Sequence, residues 1–140
     1  FDTYRNYGND AIAGWTSSSG VFEVWTSGFQ GVNAAGGSHF IELNAGSATT
    51  ITQRVDVTPG MKVRWSFRHR SRSGGNESVE VIIGSSKPAV QRFTASGNSW
   101  QGREGTYRVP DGVERIDFSI RSLTGGSVGN FIDDVRVKAG

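Results

Sequence analysis

The side chains with the most chemistry fall in three short stretches: Val21 to Trp25, Phe40 to Asn44, and Lys62 to Arg72. If each stretch is an extended strand, alternate side chains share a face. Phe22, Val24, Ile41, Leu43, Val63, Trp65 and Phe67 then point to a core. Glu23, Trp25, Phe40, Glu42 and Asn44 occupy the opposite face, and Arg64, Ser66, Arg68, Arg70 and Arg72 line the other side of the third stretch, with His69 near its end. An aromatic plate flanked by carboxylates, an amide and guanidiniums is the set that holds a pyranose ring. The plate takes the apolar face of the sugar and the polar groups bond its hydroxyls in pairs. On that reading Trp25 stacks and Glu23, Glu42 and Asn44 bond hydroxyls, while His69, Arg70 and Arg72 add donors with a bias toward acidic sugars. Each has a plainer alternative. Trp25 can cap the core, Glu23 can pair with an arginine across strands, and Asn44 can shape the Asn44-Ala45-Gly46 turn. Arg64 and Arg68 read as a solvated row neutralised by Glu77, Glu80, Glu114 and Asp117 on neighbouring strands.

Other chemistries find less support. With no cysteine, disulfides, thiolate metal sites and cysteine nucleophiles are excluded. There is no GxSxG, HExxH or phosphate-cradling loop, and the two histidines, His39 and His69, lie far apart in sequence. Glu23 and Glu42 are the one carboxylate pair on a shared face, so a glycoside-acting enzyme would use them; the reading preferred is non-catalytic. Fifteen Lys and Arg against 13 Asp and Glu leave a net charge of +2. Acidic and basic residues are interspersed, which argues against a nucleic-acid partner. Asp133 and Asp134 are adjacent, so on a regular strand they point to opposite faces. One of them, with carbonyls and another acid, could hold calcium, or it could simply bond loop amides.

These groups need elements to position them, and the dominant period of the chain is two. Strands are expected at Val21–Trp25, Phe40–Asn44, Ile51–Val57, Val63–Phe67, Glu77–Ile83, Ala89–Thr94, Gly105–Val109, Arg115–Arg121 and Phe131–Val137. Gly- and Pro-rich turns separate them: Ala34 to Gly37, Thr58-Pro59-Gly60, Gly74-Gly75-Asn76, Ser96-Gly97-Asn98, Pro110-Asp111-Gly112 and Gly125-Gly126. No stretch carries a helical stripe. Short, regularly spaced strands predict an all-β antiparallel sandwich, most simply a jelly roll. The 140 residues fit a single domain over 1–140. No apolar run of about 18 residues exists to insert in a membrane. The Phe1-Asp2-Thr3 start suggests excision from a longer chain. The echo of Trp15-Thr16-Ser17 in Trp25-Thr26-Ser27 reads as coincidence between Ser-rich turns.

Gly14-Trp15, Phe22-Glu23-Val24-Trp25, Gly37 to Phe40 with Glu42-Leu43-Asn44, Thr58-Pro59-Gly60, Trp65-Ser66-Phe67 with His69-Arg70 and Arg72, and Gly129 to Val135 run almost end to end. Together they resemble the galactose-binding-like, carbohydrate-binding-module-like jelly rolls of bacterial surface adhesins and secreted polysaccharide-degrading enzymes. The resemblance implies a non-catalytic module that binds poly- or oligosaccharide, outside the cell, beside other domains of a parent chain. It also implies a structural calcium ion, with Asp133 or Asp134 as ligand and Asp2 standing where relatives carry an acidic residue in an Asn-x-x-Phe-Glu opening. The alternative within this class is an interaction or spacer domain of an adhesin or phage fibre, with Trp25 packed away and no sugar groove.

Overall fold

In the computed structural model the described residues are 14–20, 22–44, 48–72, 74–84, 88–123 and 129–139. Ten strands run β1 Trp15–Ser17, β2 Glu23–Thr26, β3 His39–Glu42, β4 Thr50–Asp56, β5 Lys62–Ser71, β6 Glu77–Ile83, β7 Ala89–Ala95, β8 Gln101–Arg108, β9 Arg115–Ser122 and β10 Asn130–Ala139. They form two five-stranded antiparallel sheets, ordered β1-β4-β9-β6-β7 and β2-β3-β10-β5-β8. The expected jelly-roll sandwich is therefore the fold. One strand was not anticipated. Trp15-Thr16-Ser17 pairs with Gln53-Thr52-Ile51 of β4, and the Trp15 ring meets Phe118 edge-on at 6.4 Å.

Alternation builds the interior. Val63, Trp65 and Phe67 of β5 face Val79, Val81 and Ile83 of β6 and Ile116, Phe118 and Ile120 of β9 in one cluster with Phe22, Val24, Ile41 and Leu43. Burying each such side chain contributes about 1.5–3 kcal/mol. Gly105 lies opposite Trp65 across the β5–β8 ladder. A Cβ there would run into the indole, so the glycine is required for close approach.

The second sheet departs from simple alternation in two places. A second cluster of Trp25, Val32, Phe40 and Phe131, with Ala34 and Trp100, covers part of its outer face. In β10 the register against β5 slips between Asp133 and Arg136: Asp133 opposes Arg68 and Arg136 opposes Ser66. Three steps on one strand against two on the other define a β-bulge, with Asp134 at φ 50. Outward parity therefore changes from Phe131 and Asp133 to Arg136 and Lys138, while Val135 and Val137 turn to the main core.

Candidate functional site

The outer face of the β2-β3-β10-β5-β8 sheet has a capped half and an open half. Over the capped half runs a strap, residues 27–38, that re-enters as β3. Its turn at Phe29–Gly31 relies on left-handed backbone at Gly28 (φ 92), Gln30 (φ 50) and Gly31 (φ 78). Val32 plugs into the aromatic cluster, where Trp25 lies 4.8 Å from Phe131 and from Phe29, and Phe40 lies 5.0 Å from Phe131. Polar fasteners hold the strap down. Trp100 Nε1–H donates to the Asn33 carbonyl at 2.9 Å, Arg72 donates to Gln30 Oε1 at 3.4 Å, and Asp133 Oδ2 accepts the Ala35 and Gly36 amides at 2.9 and 3.1 Å.

Trp25 is 2 % exposed. The expectation that it presents an open stacking plate is corrected: the strap covers the ring, Arg72 lies 4.9 Å above it, and it serves as core. Phe40, on the same face, is likewise buried. Asn44 and His69 are corrected for the same reason. Both are fully buried in a hydrogen-bond network between the sheets. Asn44 Oδ1 accepts from Ser122 Oγ at 2.9 Å and from the Asn130 amide at 3.3 Å, and its side chain fills the space a Cβ on Gly129 would take. His69 Nε2 lies 2.6 Å from Asn130 Oδ1, which makes it the protonated nitrogen. Burial lowers the His69 pKa to about 4, so the ring is neutral at physiological pH. Both side chains are closed off from solvent and belong to the network that ties the two sheets together.

Glu23, Glu42 and Arg72 do come together at the edge of the capped half, whereas Phe131 separates Arg70 from Glu42 across the sheet. Glu23 and Glu42 are directly opposite on β2 and β3. The Glu42 carboxylate has no exposed side-chain surface and meets Arg72 Nη1 at 3.3 Å. Burial and the neighbouring Glu23 charge push its pKa up to about 8. Burial also raises Glu23, against the nearby Trp25 indole and Arg72. That indole N–H makes no hydrogen bond of ordinary geometry. Arg70 lies 5.9 Å over Trp100, and burial lowers its pKa. Arg72 joins the carboxylate pair to the strap through Gln30, with Glu23 the more accessible carboxylate.

The closing acids also separate. Asp133 is buried, and besides the two strap amides it accepts the Asp134 amide on Oδ1 at 2.7 Å. Asp134 points outward and pairs with Arg136 at 3.2 Å. Among the described residues no three His, Cys, Asp or Glu side chains converge on a possible metal position. The groups facing Asp133 are three amide N–H donors, where a cation needs oxygens; a calcium ion held by Asp133 or Asp134 remains an expectation from the resemblance. Asp2 lies outside the described residues.

The open half is a trough of about 480 Å³ lined by Arg64, Ser66, Glu104, Thr106, Arg136 and Lys138, with Trp65 and Gly105 at its floor. It continues through Ser66 and Glu104 into a further 290 Å³ beside Arg68, Gly102 and Asp134. Arg64 and Arg68 are thus not neutralised from neighbouring strands as expected. Glu77, Glu80 and Asp117 belong to the other sheet, and Glu114 immediately precedes its β9. Arg136 and Lys138 were missed in the sequence. Their signal was there, because Ile132 and then Val135 and Val137 are apolar at intervals that break the two-residue phase.

No family model and no curated protein matches the chain. Among solved structures it is similar to the CBM22-1 xylan-binding domain of Paenibacillus barcinonensis Xyn10C (TM-score 0.67, 12% identity, 97% of each chain covered). It is also similar to TmCBM61 in complex with β-1,4-galactotriose (TM-score 0.62, 15% identity, covering 91% of this chain and 90% of that one). The bacteriophage CBA120 tailspike protein 4 enzymatically active domain contains the same fold (TM-score 0.60, 20% identity), with 93% of this chain aligned to 20% of the longer one. At these identities the likeness concerns the fold, the one used by several carbohydrate-binding modules.

Proposed function

We propose that this chain is a non-catalytic glycan-binding module of a larger extracellular protein, and that it binds poly- or oligosaccharide on the open half of its second sheet. The observation that carries the reading is the trough across β10, β5 and β8, with guanidiniums, an ammonium, a carboxylate and hydroxyls facing one solvent-open space. Such groups match the donors and acceptors of a hydroxyl-rich ligand. Solved structures of this fold include a xylan-binding domain and a module in complex with galactotriose, which supports the same reading. A glycoside-acting use of Glu23 and Glu42 is disfavoured by the complete burial of Glu42 and its pairing with Arg72. A general acid and its partner must both reach the scissile bond.

A spacer without a sugar site is the competing reading. Two observations favour it: Trp25 is packed away, and this fold occurs within a tailspike chain. Affinity electrophoresis of the folded domain against a panel of neutral and acidic polysaccharides separates the two. Retardation by a coherent group of glycans, with no release of sugar, is the expected result. Migration unchanged across the whole panel would establish the spacer.

A further inference from the structure

The two outer faces of the sandwich satisfy their cations differently. On the β1-β4-β9-β6-β7 sheet, Arg54 lies 3.2 Å from Asp117, Arg115 lies 3.1 Å from Asp56, and Arg92 and Arg121 both close on Glu80. On the open half of the other sheet, Lys62, Arg64, Arg68 and Lys138 are exposed and take part in no ion pair among the described residues. Glu104 and Asp134 are the acids bordering the trough, and Asp134 is already engaged by Arg136. A strand face that keeps like charges together without partners pays for it in repulsion.

The trough also lacks what a neutral sugar would need. Among the described residues the large apolar side chains left exposed are Phe29, on the strap, and Val90, on β7 of the other sheet. Neither borders the trough, and Trp65, which does line it, is only 4 % exposed with its indole packed against Gly105, so no broadly exposed aromatic plate stands there to take a pyranose face. Hydrogen bonds from neutral hydroxyls exchange for water with little net gain. Charge-assisted bonds are roughly twice as strong, and a guanidinium can grip a carboxylate or sulfate with two of them.

Resting on the glycan-binding reading, we infer that the ligand is an acidic glycan chain whose anionic groups are paired by Arg64 and Arg68 on the central strand β5 and by Lys138 and Arg136 on the neighbouring β10. Glu104, diagonal to both arginines on β8, accepts from the hydroxyls between them. Arg64 and Arg68 are four residues apart on one strand, about 13 Å, so a ligand that meets both is an oligomer. The β10 bulge is what brings Arg136 and Lys138 to this face.

The test is affinity electrophoresis at low salt with four polymers: polygalacturonate, a sulfated galactan, neutral xylan, and single-stranded DNA as a phosphate polyanion. The proteins are wild type, R64E/R68E, K138E, and R54E on the opposite face as control, each confirmed folded by circular dichroism. The expected result is retardation of wild type by polygalacturonate or the sulfated galactan. It should weaken at least tenfold in R64E/R68E and severalfold in K138E, persist in R54E, and decline with added salt. Equal retention of wild type and R64E/R68E, or binding to xylan alone, would overturn the acidic-glycan assignment while leaving a glycan-binding module. DNA retarding wild type as strongly as the acidic glycans would overturn it in favour of unselective polyanion binding. If no polysaccharide retards the wild type, this inference falls together with the reading it rests on.

Discussion

One sheet face is core at one end and open trough at the other, although the same β10 and β5 run beneath both. In the capped half, Trp25, Phe40 and Phe131 lie under the strap at 2 %, 0 % and 0 % exposure. In the open half, every outward position of β5 up to Arg68 is polar: Lys62, Arg64, Ser66 and Arg68. Strand parity assigns a side chain to a face, but not a face to solvent. That second decision is made by a loop of twelve residues, 27–38, with enough glycine to turn and an apolar plug to bury. The contrast separates aromatic residues used for stability from charged residues left for binding.

The comparison breaks most directly at Trp25. Trp25→Ala removes a buried indole that touches Phe29, Phe40 and Phe131, and should cost about 3–5 kcal/mol in urea unfolding. If the variant loses less than about 1 kcal/mol, the capped half is not a core and the stacking role returns. Asp133→Ala comes next. It strips the acceptor from the amides of Ala35, Gly36 and Asp134, which should cost about 1–3 kcal/mol. It should also speed hydrogen exchange at Ala35 and Gly36 while leaving amides of β5 and β8 protected. Uniform exchange throughout would mean the strap is not fastened there.

A smaller effect sharpens the contrast through pH. Glu42 is raised to about 8 and His69 lowered to about 4. For Glu42 the folded state holds the proton more tightly than the unfolded chain, so its contribution is complete below the unfolded pKa and is lost as pH rises toward 8. For His69 the folded state excludes the proton, so its contribution is complete above about 6.5 and is lost as pH falls toward 4. The two oppose each other in the acid range, and above about 6.5 the decline from Glu42 stands without opposition from His69. Wild-type stability should fall between pH 6.5 and 8 with a slope of at most about 1.4 kcal/mol per pH unit, and Glu42→Gln should flatten it. A slope unchanged in Glu42→Gln would move the titration elsewhere, Asp133 being the next buried acid whose pKa is raised.

The sequence made the sandwich readable because most strands bury one face, so the period of two survives in Val63-Arg64-Trp65-Ser66-Phe67 and in Arg115–Arg121. It misled where both faces are buried. Val24-Trp25, Phe40-Ile41 and Phe131-Ile132 are adjacent apolar pairs on three neighbouring strands. Such doublets mean two covered faces, a stronger signal than the parity of any single strand. Asn44 and His69 looked like ligand groups because a buried polar network draws on the same residue types as a sugar site. Only the partners, Ser122 and Asn130, distinguish the two. Strap closure depends on contacts between distant residues such as Asp133 and Gly36, which no local pattern encodes.

The smallest expected change is also the one that tells the two arginine faces apart. Arg121 contacts Glu80, a carboxylate that Arg92 also engages and whose pKa is held down by these hydrogen bonds and charges. Replacing Arg121 with Ala should cost up to about 1 kcal/mol and lose most of that in salt, since both arginines are substantially exposed. Arg64 has no such partner among the described residues and stands two residues from Ser66 and four from Arg68 on one exposed strand face. Arg64→Ala should therefore leave stability within about 0.5 kcal/mol, with a slight gain at low salt as repulsion from Arg68 and Lys138 is relieved. Thermal melts at low and high salt measure both. An arginine whose loss is free or favourable for folding is retained for something other than folding. If Arg64→Ala instead destabilised as Arg121→Ala does, the open row would be another structural pairing, and the distinction between the two faces would disappear.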